Sequence, residues 1–361
     1  VRKLIFNLHL YTALVTGIFV VVLGVTGSIM AFEEDLDHLF NPALFKVTPG
    51  PQKVPVPQLL DTLKAAYPGQ RFGGLHIGSK PDESYYTGIK GGQVFVDPYT
   101  GKVLGTRSTP TTLANIHQLH LRLLLGQPGK NVVNIVSIIL VWLVLSGIYL
   151  WWPLKRASIK FGASLRRVVF DAHNAVGIFS ALFLLAAGIT GVVIHYDDSI
   201  GEWLNERAHM KSPVRTMPST PIAGVKTISP EDAVRAATEA LPGTAPLAFI
   251  GPNGPKGSYY VSLHFPEDLT PGGRSWVVVD QYSAKPLFIE NSHTAPPGTR
   301  TIIQNRAIHT GDIFGYPTKI LMAIACFLLI LQSITGYYMW WKRLRSKSKV
   351  YEPEAVSESV A

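Results

Sequence analysis

The chain has 361 residues, 47% of them hydrophobic and only 16% charged, which excludes an ordinary soluble domain of this length. Its one cysteine, Cys326, lies in an apolar run and excludes an internal disulfide or a cysteine metal cluster. The formal net charge of +9 would suit a polyanion, but the basic residues gather at the ends of apolar runs, which argues for membrane topology signals and against nucleic acid as a partner.

Arg2 and Lys3 precede the first apolar run, residues 10–32, which is long enough for the roughly 20-residue helix that crosses a bilayer. It is too long for a signal-peptide core, and Phe32-Glu33-Glu34-Asp35 is not a small-residue cleavage site, so residues 1–32 are expected to form a retained transmembrane helix. Residues 33–116 predict a short helix over 56–67, a Pro-Gly turn and antiparallel strands, with alternating runs at 84–88 and 92–96. Asp97-Pro98-Tyr99-Thr100-Gly101 is a turn in which proline presets φ and glycine supplies a positive φ. Residues 117–152 hold a connector and the second span (132–152), and Lys155, Arg156, Lys160, Arg166 and Arg167 fill the loop at 153–170. The third span (175–196) lies in the segment 171–196. A second long segment, 197–304, predicts a helix over 230–241 followed by strands. Residues 305–341 are a connector and the fourth span (320–341), and the tail 342–361 begins with Lys342, Arg343, Arg345, Lys347 and Lys349. The positive-inside rule then puts both termini and the 153–170 loop in the cytoplasm and the long segments outside, in the periplasm of a bacterial inner membrane. Trp151-Trp152 and Trp340-Trp341 fit an aromatic belt at the inner interface.

Self-comparison shows a tandem duplication. Laid on the third span, the first matches Arg2 with Arg166, Phe6 with Phe170, His9 with His173, and Gly24-Val25-Thr26-Gly27 with Gly188-Ile189-Thr190-Gly191. Laid on the fourth, the second matches His120 with His309, Gly126 with Gly315, Lys130 with Lys319, and Ser146-Gly147 with Thr335-Gly336. The outer segments repeat as well, Val94-Phe95-Val96-Asp97-Pro98-Tyr99-Thr100-Gly101-Lys102 against Val277-Val278-Val279-Asp280-Gln281-Tyr282-Ser283-Ala284-Lys285. Both copies enter in the same direction, so the pseudo-twofold axis should follow the membrane normal. The expected fold is an integral membrane protein: an all-α four-helix transmembrane bundle with two α+β periplasmic domains.

A small α+β domain with a V-x-V-D-x-Y-[ST]-x-K strand and turn, set between spans that carry a histidine and an [ST]-G pair, resembles the PepSY-associated transmembrane proteins. The likeness covers nearly the whole chain and both repeats. It implies two PepSY-like domains and a place among haem-containing inner-membrane reductases that release iron from ferric siderophores, in a family that also holds many members of unknown activity.

The residues themselves point the same way. Two histidines facing each other across a bundle are the ligand set of a six-coordinate b-type haem. The repeat pairs His9 with His173 at the inner end and His120 with His309 at the outer end. Covalent attachment is excluded, since no C-x-x-C-H occurs. A lone interfacial histidine is more often a hydrogen-bonding residue than a ligand; four in two symmetric pairs favour ligation. His117 and His195 are alternative outer ligands that lack a repeat partner, since Arg306 and Ala31 stand at the equivalent positions. Gly27, Gly147, Gly191 and Gly336 each lie at the end of a span opposite its own histidine, and would leave room for a flat porphyrin or serve ordinary close helix packing. Arg2 and Arg166 inside, with Arg122, Lys130, Arg306 and Lys319 outside, would meet propionates. His38, His76, His209, His264 and His293 read as surface residues, and Asp197, Asp198 and Asp312 as caps or turns.

The expected cofactors are thus two non-covalent b-type haems. The expected function is transmembrane electron transfer, from a cytoplasmic donor of unknown identity to a periplasmic ferric siderophore. No Rossmann fingerprint or P-loop occurs. Two rivals are a non-redox sensing or binding protein, in which the histidines are structural, and a transporter of iron or its chelate, against which the apolar span interiors argue.

Overall fold

In the computed structural model, residues 1–155, 157–210 and 217–348 are described, so that Arg156 and Lys349, counted above among the basic flanks, lie outside the described residues. The elements run α1 (Arg2–Met30), α2 (Glu33–Phe40), α3 (Pro42–Phe45), α4 (Val56–Ala66), β1 (Leu75–His76), β2 (Tyr85–Ile89), β3 (Gly92–Val96), β4 (Val103–Ser108), α5 (Thr112–Arg122) and α6 (Gly126–Trp151). They continue with α7 (Leu165–His195), α8 (Asp197–Arg207), α9 (Pro230–Ala240), β5 (Ala245–Ile250), β6 (Ser258–His264), β7 (Ser275–Asp280), β8 (Pro286–Glu290), α10 (Pro297–Thr310), a 3-10 turn (Asp312–Phe314) and α11 (Tyr316–Ser348). These elements form two units, one helical (Val1–Ala31, Gln118–His195 and the described part of Lys319–Ala361) and one built on a sheet (Phe32–His117 and Tyr196–Thr318).

In the helical unit α1, α6, α7 and α11 are long and apolar enough to cross a membrane. Their outward faces stay apolar: Phe179 is 71% and Leu182 72% exposed, which suits lipid and not water. The inner packing repeats the duplication residue by residue. The core holds Val20 and its repeat equivalent Leu184, and Val136 with its equivalent Ala325. A Cβ on Gly24 would stand 2.6 Å from the Cys326 carbonyl of α11, and one on the equivalent Gly188 would stand 3.4 Å from the carbonyl of Ser137 on α6. Backbones come this close only where a helix presents no side chain, the usual device of helix contacts in lipid.

The sheet unit corrects the expectation of two outer domains. All eight strands form one antiparallel sheet in the order β4-β3-β2-β1-β5-β6-β7-β8. The two copies join through β1 and β5, with Leu75 opposite Phe249 and His76 opposite Ala248. Each copy alone would leave β1 or β5 as an open edge, and pairing them removes both liabilities at once. One hydrophobic core follows from one sheet: Leu59 and Leu63 of α4 and Ala233 and Ala237 of α9 pack with Leu75, Val94, Val96, Val261, Leu263, Val277 and Val279. On the face away from that core, the Phe45 ring meets Phe95 edge-on at 5.1 Å, and the Arg107 guanidinium lies over both rings while pairing with Asp37 at 2.6 Å.

The repeated turn behaves as its residues require. Asp97 Oδ1 accepts from the backbone N–H of Tyr99 at 2.8 Å, and Asp280 Oδ1 from Tyr282 at 2.9 Å. Gly101 takes φ of 71°, and Ala284, its equivalent, takes 58°.

Candidate functional site

At the Arg2 end of the helical unit, His9 of α1 and His173 of α7 line one cavity of about 950 Å³. That volume is at the upper end of the roughly 300–1,000 Å³ usual for cofactor and ligand sites. Gly147 and Gly336 line it too, with apolar walls from Leu10, Val144 and Ile178. His9 Nδ1 lies 2.8 Å from Ser146 Oγ on α6, and His173 Nδ1 lies 2.8 Å from Thr335 Oγ1 on α11. The adjoining glycines face the rings: a Cβ on Gly147 would be 3.5 Å from His9 Cε1, and one on Gly336 would be 3.7 Å from His173 Cε1. Ser146-Gly147 and Thr335-Gly336 are therefore each a seat for an imidazole, the hydroxyl on its nitrogen and the glycine on its edge. Gln332 adds a contact in the second copy alone, its amide donating to the His173 carbonyl at 3.0 Å; Leu143 stands at the equivalent position.

Arg2 and Arg166 line the same cavity. Arg2 also donates to the Leu150 carbonyl at 2.8 Å, which ties α1 to α6. Arg167 lines the cavity while paired, at 2.9 Å, with Asp171, whose carboxylate is 1% exposed. A carboxylate buried in a span needs such a partner. The pair was missed because Arg167 read as a topology charge, although its spacing of four residues from Asp171 is the helical ion-pair spacing.

At the opposite end the first copy repeats the arrangement. Thr26 Oγ1 of α1 lies 3.0 Å from His120 Nδ1 on α5, and a Cβ on Gly27 would stand 3.0 Å from His120 Cε1. His117, one turn earlier on α5, bonds instead through Nδ1 to Glu33 Oε2 at 2.8 Å. His309 and Arg306 share the last turns of α10, and His195 ends α7. Thr190 donates to the Ala186 carbonyl at 2.6 Å, with Gly191 next on α7. Arg122 is exposed at the end of α5, while Lys130 and Lys319 are half-buried near the starts of α6 and α11.

The remaining histidines are not all plain surface residues: His38 lies tilted against Phe45, while His76 stacks on Tyr86 and His293 on Phe265, with centroids 4.2, 4.3 and 4.4 Å apart. Asp197 and Asp198 begin α8, and Asp312 opens the 3-10 turn and accepts from the Thr310 hydroxyl at 2.6 Å, as their sequence positions suggested. Among the described residues no three His, Cys, Asp or Glu side chains converge on one point.

No curated protein matches the chain. A family model described as the PepSY-associated TM region matches residues 6–343, which takes in most or all of each of the four long helices and the whole sheet.

Proposed function

The chain belongs to the PepSY-associated transmembrane family and is a multi-pass membrane protein, and from that premise we propose that it binds two b-type haems and reduces ferric siderophores. Its place would be a bacterial inner membrane, with Arg2, the 153–170 loop and the tail inside, as the basic flanks direct. The observation that carries the reading is the cavity of about 950 Å³ lined by two histidines from repeat-equivalent positions. The donor set fits: the imidazoles of His9 and His173 would hold the iron, the apolar walls would exclude water, and Arg2 and Arg166 would meet propionates. His120 and its repeat equivalent His309 are assigned the second haem on the strength of the duplication.

When bound, a b-type haem supplies a one-electron couple. The histidines set its ligand field, and the cavity walls set its exposure. A one-electron cytoplasmic donor would supply the electron; outside, the ferric chelate gains it and becomes ferrous. Hard oxygen ligands hold Fe²⁺ less firmly than Fe³⁺, so the iron is released. The four long helices are continuous α-helix, without the interruptions on which transporters build substrate sites, so the transporter reading gains no support from them.

The test is a pyridine haemochrome assay on purified protein, with two haems per chain expected. Dithionite-reduced protein, mixed without air with a ferric hydroxamate, should then reoxidise while ferrozine traps Fe²⁺. Protein without haem would overturn the redox reading, and haem protein that no ferric chelate reoxidises would overturn the reductase assignment.

A further inference from the structure

We infer that the hydroxyls of Ser146, Thr335 and Thr26 are positioning groups that hold His9, His173 and His120 in one tautomer, with the proton on Nδ1 and the lone pair on Nε2. The inference deepens the haem reading, on which it rests for what Nε2 meets.

A serine or threonine hydroxyl owns one proton and two lone pairs. In all three residues that proton is already committed. Ser146 donates to the Trp142 carbonyl at 2.7 Å, Thr335 to Leu331 at 2.7 Å and Thr26 to Val22 at 2.7 Å. These are bonds to the carbonyl one turn earlier on the same helix, as buried hydroxyls make them. What each oxygen has left for the imidazole is a lone pair, so the hydrogen in the Nδ1 contacts at 2.8, 2.8 and 3.0 Å belongs to the histidine.

The opposite arrangement fails on two counts. The hydroxyl would have to abandon its carbonyl, and the proton would move to Nε2. A nitrogen that carries a proton in the ring plane has no lone pair for iron. For His9 and His173, that proton would also face an apolar cavity, where an unpaired buried donor costs roughly 1–3 kcal/mol.

The acceptor's chemistry also bears on redox tuning. Hydrogen bonding at Nδ1 raises the basicity of the coordinating nitrogen. A neutral hydroxyl does this mildly, whereas a carboxylate pulls the ring toward imidazolate. His120 and His117 differ in this respect, since His117 bonds to Glu33. Ligation through His9, His173 and His120 therefore predicts less stabilisation of the ferric state than a carboxylate-backed histidine would give.

The experiment uses the full chain with its haem, in detergent, and reads midpoint potentials and low-spin electron paramagnetic resonance signals. Ser146→Ala and Thr335→Ala should each raise the potential of one haem and leave the other in place. The expected shift in the ferrous-to-ferric ratio at fixed potential is up to about tenfold, or ~59 mV for one electron. Ser146→Thr and Thr335→Ser should keep the native values. If the alanine variants keep their haem with potential and resonance unmoved, the hydroxyls only pack, and the inference falls while the haem reading stands. If alanine removes the haem, the conservative variants must retain it, and their failure to do so likewise overturns the inference. If the native protein holds no haem, the function reading fails instead. Nitrogen-15 spectra of histidine-labelled protein then decide: Nδ1–H at His9, His173 and His120 upholds the tautomer, and Nε2–H overturns it.

Discussion

His9 meets Ser146 and His173 meets Thr335, each within its own copy of the repeat and each at 2.8 Å. The sheet hairpins keep the same aspartate bonds, but where the first copy has Gly101 in the left-handed region the second has Ala284. The two regions have thus been held to different standards. At the first, a change moves an imidazole that lines the cavity. At the second, an L-residue in that conformation costs about 1–2 kcal/mol and disturbs nothing else. The comparison also divides labour within a copy: in the first, α1 carries His9 and α6 seats it, while α5 carries His120 and α1 seats it. Each copy offers an oriented histidine of its own, so the pair that lines the cavity needs both.

The largest effect should come from breaking one half of that pair. His9→Ala and His173→Ala should each lower the haem-to-protein ratio from two to one, with the same residual spectrum, because either removes half of the same site. Two different residual spectra would mean that the copies do not share a site. A smaller effect separates the glycines. Gly27→Ala places a Cβ 3.0 Å from His120 Cε1, tighter than most real contacts, so the ring must give by a few tenths of an ångström. Gly147→Ala and Gly336→Ala place it at 3.5 and 3.7 Å, ordinary contact distances. Only the first should change the absorption spectrum, while the other two gain up to ~1 kcal/mol of helix propensity. Equal perturbation by all three would show that the glycines face something other than the imidazoles.

The four spans, the duplication and the repeated turn were legible because each is a pattern in one stretch of chain or in two stretches compared. The joined sheet was not. β1 is only Leu75–His76, next to two glycines, and nothing in two residues declares a partner as far along the chain as Phe249. The [ST]-G pairs were found, but a small pair in a span reads first as close packing. What could have revealed the hydroxyls is that every pair keeps an oxygen beside its glycine, which packing alone does not need; alanine would serve that purpose equally well.

The smallest predicted effect tests the looser half of the comparison. Gly101→Ala and Ala284→Gly exchange the residues of the two turns without touching the bundle. At Gly101 an added Cβ would lie 3.8 Å from the Leu59 side chain, so the cost is conformational and not steric. Alanine there should destabilise the first hairpin by about 1 kcal/mol. Glycine at 284 should relieve the second by a similar or smaller amount, since its own greater freedom in the unfolded chain offsets part of the gain, by roughly 0.5–1 kcal/mol. Hydrogen exchange reads both locally. The amide of residue 101 bonds to the Asp97 carbonyl at 2.9 Å and that of residue 284 to the Asp280 carbonyl at 3.2 Å. Protection should fall in the first variant and rise in the second, with the haem spectrum unchanged in both. If Ala284→Gly loosens its turn, the alanine is held there by contacts of its own, and the second hairpin is as constrained as the imidazole seats.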